Sequence, residues 1–242
     1  MKVLLLVPVY NEEGAIESVI NGVRRAFPGI DILVIDDGST DASPHLLRQR
    51  SDLVTLRHAV NFGYGRALIA GFEYAIRRGY DITITMDCDG QHSPTDLRRF
   101  MAAACRADIV SGSRYLGAAR GDVAPIDRQR LNREFTRRIR EVAGLRITDA
   151  WCGFKLYHLR VLRAFELTED GYGMPLQIWI QAAYHRFCVR EVAIARVYDN
   201  PNRTFGGGLD NVEQRRSYYL RVLENEVERW LPEKLSLFRV AS

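Results

Sequence analysis

The sequence predicts an α/β fold, a mostly parallel sheet flanked by helices. Three observations carry that expectation. Short apolar runs alternate with segments of helical period throughout the first half of the chain. Repeated strand–helix–strand units imply parallel strands covered by helices on both faces. With 242 residues and a hydrophobic fraction of 47%, the chain can bury a full core without disulfides.

Residues 3–9 read as a first, buried strand. They are not read as a signal peptide, because the apolar run is brief and no small-residue cleavage site follows. Asn11 is placed to cap the next helix, whose apolar stripe is Ile16, Val19, Ile20, Val23 and Phe27. Residues 30–35 form a second strand and 53–57 a weaker third. A helix over 64–78 carries Leu68, Phe72, Ala75 and Ile76 on one face, with Gly79 as its C-terminal cap. A strand over 81–86 follows. Ser93 as N-cap and Pro94 at the first helical position then open a helix with Leu97, Phe100 and Met101 inward. A strand over 108–111 closes this set.

The second half is less regular. It holds an Arg-rich helix near 127–143, a strand around 154–157, a helix over 175–185 and an alternating strand at Val192, Ile194 and Arg196. A Gly-rich loop and a long C-terminal helix complete it. With no internal repeat or low-complexity linker, residues 1–210 are expected to form the main domain and 211–242 a helical extension packed on it. Residues 230–240 mix apolar side chains with charge, as interfacial segments do. Docking back onto the domain is the preferred reading.

The net charge of +4 is mildly basic and suits an anionic substrate. Cys88, Cys105, Cys152 and Cys188 are scattered, which argues against zinc or redox chemistry and for free thiols in a reducing compartment. No apolar stretch approaches the roughly 20 residues of a membrane helix. A cytoplasmic location with peripheral membrane contact is expected. The arginines between 114 and 140 outnumber the acids there but lack interleaved aromatics, so nucleic-acid binding is not expected; for most of them a solvated helix face is the plainer reading.

Three acidic clusters stand where strands should end: Asn11-Glu12-Glu13, Asp36-Asp37 to Asp41, and Asp87 to His92. In open α/β sheets ligands bind at the carboxyl edge of the strands. Helix capping accounts for Asp41 and Ser93, but three clusters on one edge ask for more. Asp87 and Asp89 lie two apart, so in extended backbone both point one way. Their charges repel unless a proton or cation stands between them. Mg2+ or Mn2+ suits such oxygen ligands and brings phosphate with it, with Gln91 and His92 as further ligands. Asp36 and Asp37 suit the hydroxyls of a ribose or the N–H of a base. Tyr10 offers a flat face for a base, or packs in the core.

These stretches together resemble the family 2 inverting glycosyltransferases, above all the dolichol-phosphate mannose synthase-like branch. The matching segments are residues 7–13, 34–41, 61–71, 86–94, 112–115 and 149–155. The resemblance implies the GT-A variant of the Rossmann-like fold and a nucleotide-sugar donor. It implies that Pro8, Tyr10, Glu12, Asp37 and Asp87 bind the nucleotide, and that Asp87, Asp89 and Gln91 hold Mg2+ or Mn2+ with the diphosphate. Asp149 then lies near donor sugar and acceptor, as a base if the acceptor is a hydroxyl. The catalytic set is Asp149, Asp89 and Arg203, and Arg114, Arg128 and Arg203 meet an acceptor phosphate. Two departures stand out: Gly63-Tyr64-Gly65 replaces a usual Gly-Lys-Gly, and the segment from Arg203 to Leu209 lacks the Lys that many polyprenyl-phosphate transferases carry.

The resulting expectation is an inverting transfer from a UDP- or GDP-linked sugar to a polyprenyl phosphate, dolichyl or undecaprenyl. Alternatives are a soluble hydroxyl acceptor with Asp149 as base, a sugar-phosphate nucleotidyltransferase, or a non-catalytic nucleotide-sugar-binding subunit. A homo-oligomer or a membrane-protein partner is left open.

Overall fold

In the computed structural model, which describes residues 1–116, 125–195 and 208–240, strand β1 (Val3–Val9) lies between β2 (Asp31–Asp36) and β4 (Ile82–Thr85), parallel to both. Beyond β2 comes β3 (Val54–Arg57), also parallel. Beyond β4 comes β6 (Lys155–His158), which runs antiparallel to β4 and to its other neighbour, β5 (Ile109–Ser113). Strand β7 (Val189–Ala193) closes that side, parallel to β5. The order is β3-β2-β1-β4-β6-β5-β7, and β6 alone opposes the rest.

The apolar run of β1 is explained by its two covered faces. Leu5, Val7 and Val9 join a cluster with α1 (Ile16–Ala26) and α4 (Leu97–Ala104). Leu4 and Leu6 face α3 (Tyr64–Arg78) and the larger cluster built by α5 (Ile126–Ala143) and α7 (Met174–Tyr184). Alternate residues of a strand point to opposite sides, so a strand covered twice has no polar positions to spare. Helix α3 has the expected limits, and Gly79 ends it in the left-handed conformation at φ 65°.

Helices α8 (Val212–Trp230) and α9 (Leu235–Val240) complete the chain. Tyr219, Val222, Leu223 and Val227 of α8 are buried in the same cluster as α5 and α7. Phe238 of α9 is buried too, beneath the Arg138 guanidinium. The C-terminal stretch thus docks back onto the core, although Leu237 stays half-exposed. No helix among the described residues is long and apolar enough to cross a membrane.

Three local expectations are revised, and two short helices were not foreseen. Asn11 does not cap α1, which begins at Ile16 with no side-chain cap. It adopts a positive φ of 56°, and its Oδ1 accepts from the Thr40 N–H at 2.8 Å, tying the loop after β1 to the loop after β2. Ser93 precedes a 3-10 turn over Pro94–Asp96, and its hydroxyl meets the Thr95 hydroxyl at 2.8 Å rather than a backbone N–H. Of the expected last strand, Val192 lies in β7, which spans Val189–Ala193, Ile194 follows it, and Arg196 lies outside the described residues. Helices α2 (Ser43–Arg48) and α6 (Leu159–Ala164) went unseen, because six residues are too few to show a helical period.

Candidate active site

The carboxyl ends of β1, β2, β4 and β5 open into a cavity of about 660 Å3. Of the site residues expected from the sequence, Pro8, Tyr10, Glu12, Asp37, Asp87, Asp89, Gln91, Arg114 and Arg128 line it, whereas Asp36, His92 and Asp149 do not. Arg203 lies outside the described residues.

Asp87 follows β4 by two residues, with its carboxylate partly exposed. Its Oδ1 accepts from the Tyr64 hydroxyl at 3.0 Å. Tyr64 stacks on Tyr172 with ring centroids 5.6 Å apart. Burial first, and the facing Asp87 charge second, push its phenol well above its usual value, so it remains a donor. Gly153 passes directly beside this carboxylate. A Cβ there would come closer to Asp87 Oδ2 than van der Waals contact permits. His92 was expected as a ligand but turns into the core, its ring tilted against that of Phe154, where Nδ1 accepts the Asp87 N–H at 3.1 Å. Its role is to fix the Asp87 backbone. Asp89 and Gln91 line the cavity, and Asp89 Oδ1 also accepts the Gln91 N–H at 3.0 Å.

Among the described residues, no three His, Cys, Asp or Glu side chains gather as a full ligand set. That fits Mg2+ or Mn2+, which take one or two carboxylates and fill the remaining positions with water and phosphate oxygens. Asp87, Asp89 and Gln91 present that oxygen chemistry on one wall.

The next wall comes from β1 and β2. Pro8 and Tyr10 line it, and the Tyr10 ring is 45% exposed, which decides against core packing. Asp36 and Asp37 separate in function. Asp36 is buried, accepting from Ser39 N–H at 2.9 Å and pairing with Arg57 at 3.1 Å. Asp37 reaches the cavity, but its carboxylate also accepts from Phe62 N–H at 3.1 Å and Gly63 N–H at 2.8 Å, and meets His58 Nδ1 at 2.6 Å. It shapes the loop before α3 as well as the cavity wall.

The opposite wall is cationic. Arg114 follows β5 and grips Asp149 with Nε at 2.7 Å and Nη2 at 2.9 Å, and its backbone N–H adds a bond at 3.1 Å. Asp149 is fully buried and lines no part of the cavity. Burial alone would raise its pKa, but the Arg114 guanidinium and the N–H groups of Arg114 and Trp151 outweigh that and hold it below the usual range. So held, the carboxylate is poorly suited to take a proton from a substrate. Behind it, Glu191 of β7 accepts from Thr148 N–H at 2.8 Å and Asp149 N–H at 3.1 Å. Burial pushes the Glu191 carboxyl up despite those bonds. Arg128 of α5 lines the cavity beside Arg114 and Tyr115.

Helix α8 supplies Arg215 and Tyr219 to the same wall. Neither was singled out in the sequence, where Arg215 is one cation in an ordinary amphipathic helix. Arg215 is buried, pairs with Asp127 at 2.5 Å and donates to the Leu209 carbonyl at 3.0 Å. Glu191 was also missed, since it sits in no motif, and Tyr64 was marked only as a departure from Gly-Lys-Gly, with no role given to its hydroxyl.

Residues 5–165 match the family model described as glycosyl transferase family 2. The chain belongs to glycosyl transferase family 2. This transferase is 33% identical over 190 residues to the undecaprenyl-phosphate mannosyltransferase of Micrococcus luteus, covering 76% of this chain and 78% of that one. It is 32% identical over 202 residues to the polyprenol monophosphomannose synthase of Mycolicibacterium smegmatis, covering 80% and 76%. Among solved structures it resembles glucosyl-3-phosphoglycerate synthase from Mycobacterium tuberculosis in complex with UDP. That likeness has a TM-score of 0.72 at 20% identity, over 93% of this chain and 79% of that one. It establishes the GT-A fold of the transferase. Helix α8, with Arg215 and Tyr219, lies beyond the residues matched by the family model.

Proposed function

We propose that this transferase moves a sugar, with inversion, from a nucleotide-diphosphate sugar to a polyprenyl phosphate. One observation carries the choice of acceptor: the carboxylate expected to act as a base, Asp149, is buried and clamped to Arg114. A hydroxyl acceptor needs a general base. A phosphate is already an anionic nucleophile and needs cations to hold it, which is what the wall of Arg114, Arg128 and Arg215 offers. Two relatives are, by their names, an undecaprenyl-phosphate mannosyltransferase and a polyprenol monophosphomannose synthase, which supports the same reading.

The sheet order divides the labour. Glu12, Asp37, Asp87 and Asp89 stand over β1, β2 and β4, whereas Arg114 stands over β5. Tyr10 and Asp37 would receive the nucleoside. Asp87, Asp89 and Gln91 would hold Mg2+ or Mn2+. When bound, such an ion stabilises the negative charge that develops on the departing nucleotide diphosphate. Solved structures of the same fold contain Mn2+ with UDP-glucose and phosphoglyceric acid, in line with that assignment. Tyr64 fixes the Asp87 carboxylate through its hydroxyl, and Asp149 keeps the Arg114 fork aimed, so both act as positioning residues. Arg114 and Arg128 would orient the acceptor phosphate so that an oxygen meets the anomeric carbon on the face opposite the leaving group. Peripheral contact with the membrane that carries the acceptor belongs to this reading.

The test is transfer from a panel of labelled UDP- and GDP-sugars, mannose first, to undecaprenyl phosphate in detergent with Mg2+ or Mn2+. Label partitioning into the organic phase, lost on chelation and in Asp89→Asn, is the expected result. Label that stays in water with every donor would overturn the proposal.

A further inference from the structure

Arg130, Arg133, Arg137 and Arg140 recur along α5 at intervals of three and four residues, the spacing that stacks side chains on one helix face. All four are exposed, and so is Ile126, one turn earlier on the same face, at 67%. The row is about 15 Å long at the α-helical rise. The acids of α5 do little to offset it. Asp127 pairs with Arg215 at 2.5 Å, and Glu134 pairs with Arg138 at 3.0 Å and Arg216 at 2.8 Å, so both are turned toward the inner helices. Glu141 alone of the helix's acids stays with the row, paired with Arg137 at 2.8 Å. Arg130, Arg133 and Arg140 carry no ion pair among the described residues.

We infer that this face of α5 docks the transferase on an anionic lipid bilayer. The inference rests on the proposed acceptor, a lipid phosphate, and on charge complementarity with the headgroups around it. Each arginine close to an anionic leaflet strengthens binding roughly fivefold. An exposed aliphatic side chain at the end of such a row can enter the headgroup layer. Arg128, which lines the cavity, stands two residues before the row on the same helix. Two residues turn about 200° around a helix, so Arg128 meets the cavity across α5 from the row, about one helix diameter, roughly 10–12 Å, away. A nucleic acid would meet the same charge, but no exposed aromatic side chain stands among these arginines to stack on bases.

The experiment is sedimentation of the full chain with vesicles of phosphatidylcholine, with and without phosphatidylglycerol. It is repeated with the triple variant Arg130→Gln, Arg133→Gln and Arg140→Gln. The wild type should bind only the anionic vesicles, and salt should weaken binding. The triple variant should bind them on the order of a hundredfold more weakly, with an unchanged melting temperature. Equal binding to both vesicle types, no binding to either, or a triple variant that binds like the wild type would overturn the inference. So would an arginine-dependent affinity for duplex DNA exceeding that for the vesicles. Transfer to detergent-dispersed undecaprenyl phosphate separates docking from chemistry. The variant should match the wild type there, and a variant inactive in detergent would assign the row to the substrate site instead. If neither protein transfers in detergent, the proposed function fails while the vesicle result still decides the docking surface.

Discussion

The pair between Asp149 and Arg114 shows how one residue's surroundings redirect its chemistry. In the function proposed above, Asp149, with no exposure and a two-pronged guanidinium partner, serves as an anchor. Asp149→Asn leaves Arg114 without its counter-charge and should cost about 3 kcal/mol of stability, the scale for breaking a buried pair. The pH dependence carries a definite sign. The folded pKa of Asp149 is depressed, so the pair's contribution is complete above the ordinary carboxylate value of about 4 and is lost as pH falls through the depressed value. Thermal unfolding across acid pH should therefore show a steeper loss for the wild type than for Asp149→Asn. Kinetics separate anchor from base: an anchor predicts that Asp149→Asn raises the acceptor KM and leaves the acid limb of the pH–rate profile in place. Disappearance of that limb would restore the general-base role. The sequence could bring Asp149 to the site's neighbourhood through its motif. It could not reveal that Arg114, 35 positions earlier, consumes both carboxylate oxygens.

At the scale of elements, strands and helices with strong periodicity were legible and short ones were not. The limits of α3 follow from its apolar face and from Gly79, whose left-handed φ of 65° an alanine adopts only at a cost. Nothing lies within reach of a Cβ at that position, so Gly79→Ala should destabilise through backbone conformation alone, by about 1–2 kcal/mol. Urea unfolding should show the lowered midpoint with an unchanged slope. A midpoint equal to the wild type's would mean that the cap is dispensable. Asn11 marks the limit of local reading: a side chain before a helix suggests a cap, yet its carbonyl oxygen was claimed by Thr40, from another loop. The three acidic clusters were legible because strand ends of a parallel sheet share one edge. The contribution of α8 was not, because an amphipathic pattern says which side of a helix is buried and nothing about which cavity that side completes.

For the molecule as a whole, the cavity closes only when distant parts of the chain meet. Its acidic wall comes from β1, β2 and β4, and part of its cationic wall from α8. Burial of Tyr219, Val222, Leu223 and Val227, at about 1.5–3 kcal/mol for each large side chain, rivals the about 5–15 kcal/mol that keeps a typical domain folded. A chain ending at residue 210 should therefore fail to unfold cooperatively in calorimetry, and a sharp transition near that of the full chain would contradict this. The antiparallel β6, wedged between β4 and β5, has a further consequence for the order in which the protein comes into being. Once β4 has left the ribosome, the strand that covers its open side is not β5, the next to be made, but β6 at Lys155–His158. At about 5–20 residues per second, the nascent chain carries an uncovered sheet edge for several seconds, a period in which a chaperone, or a neighbouring nascent chain, can reach it first.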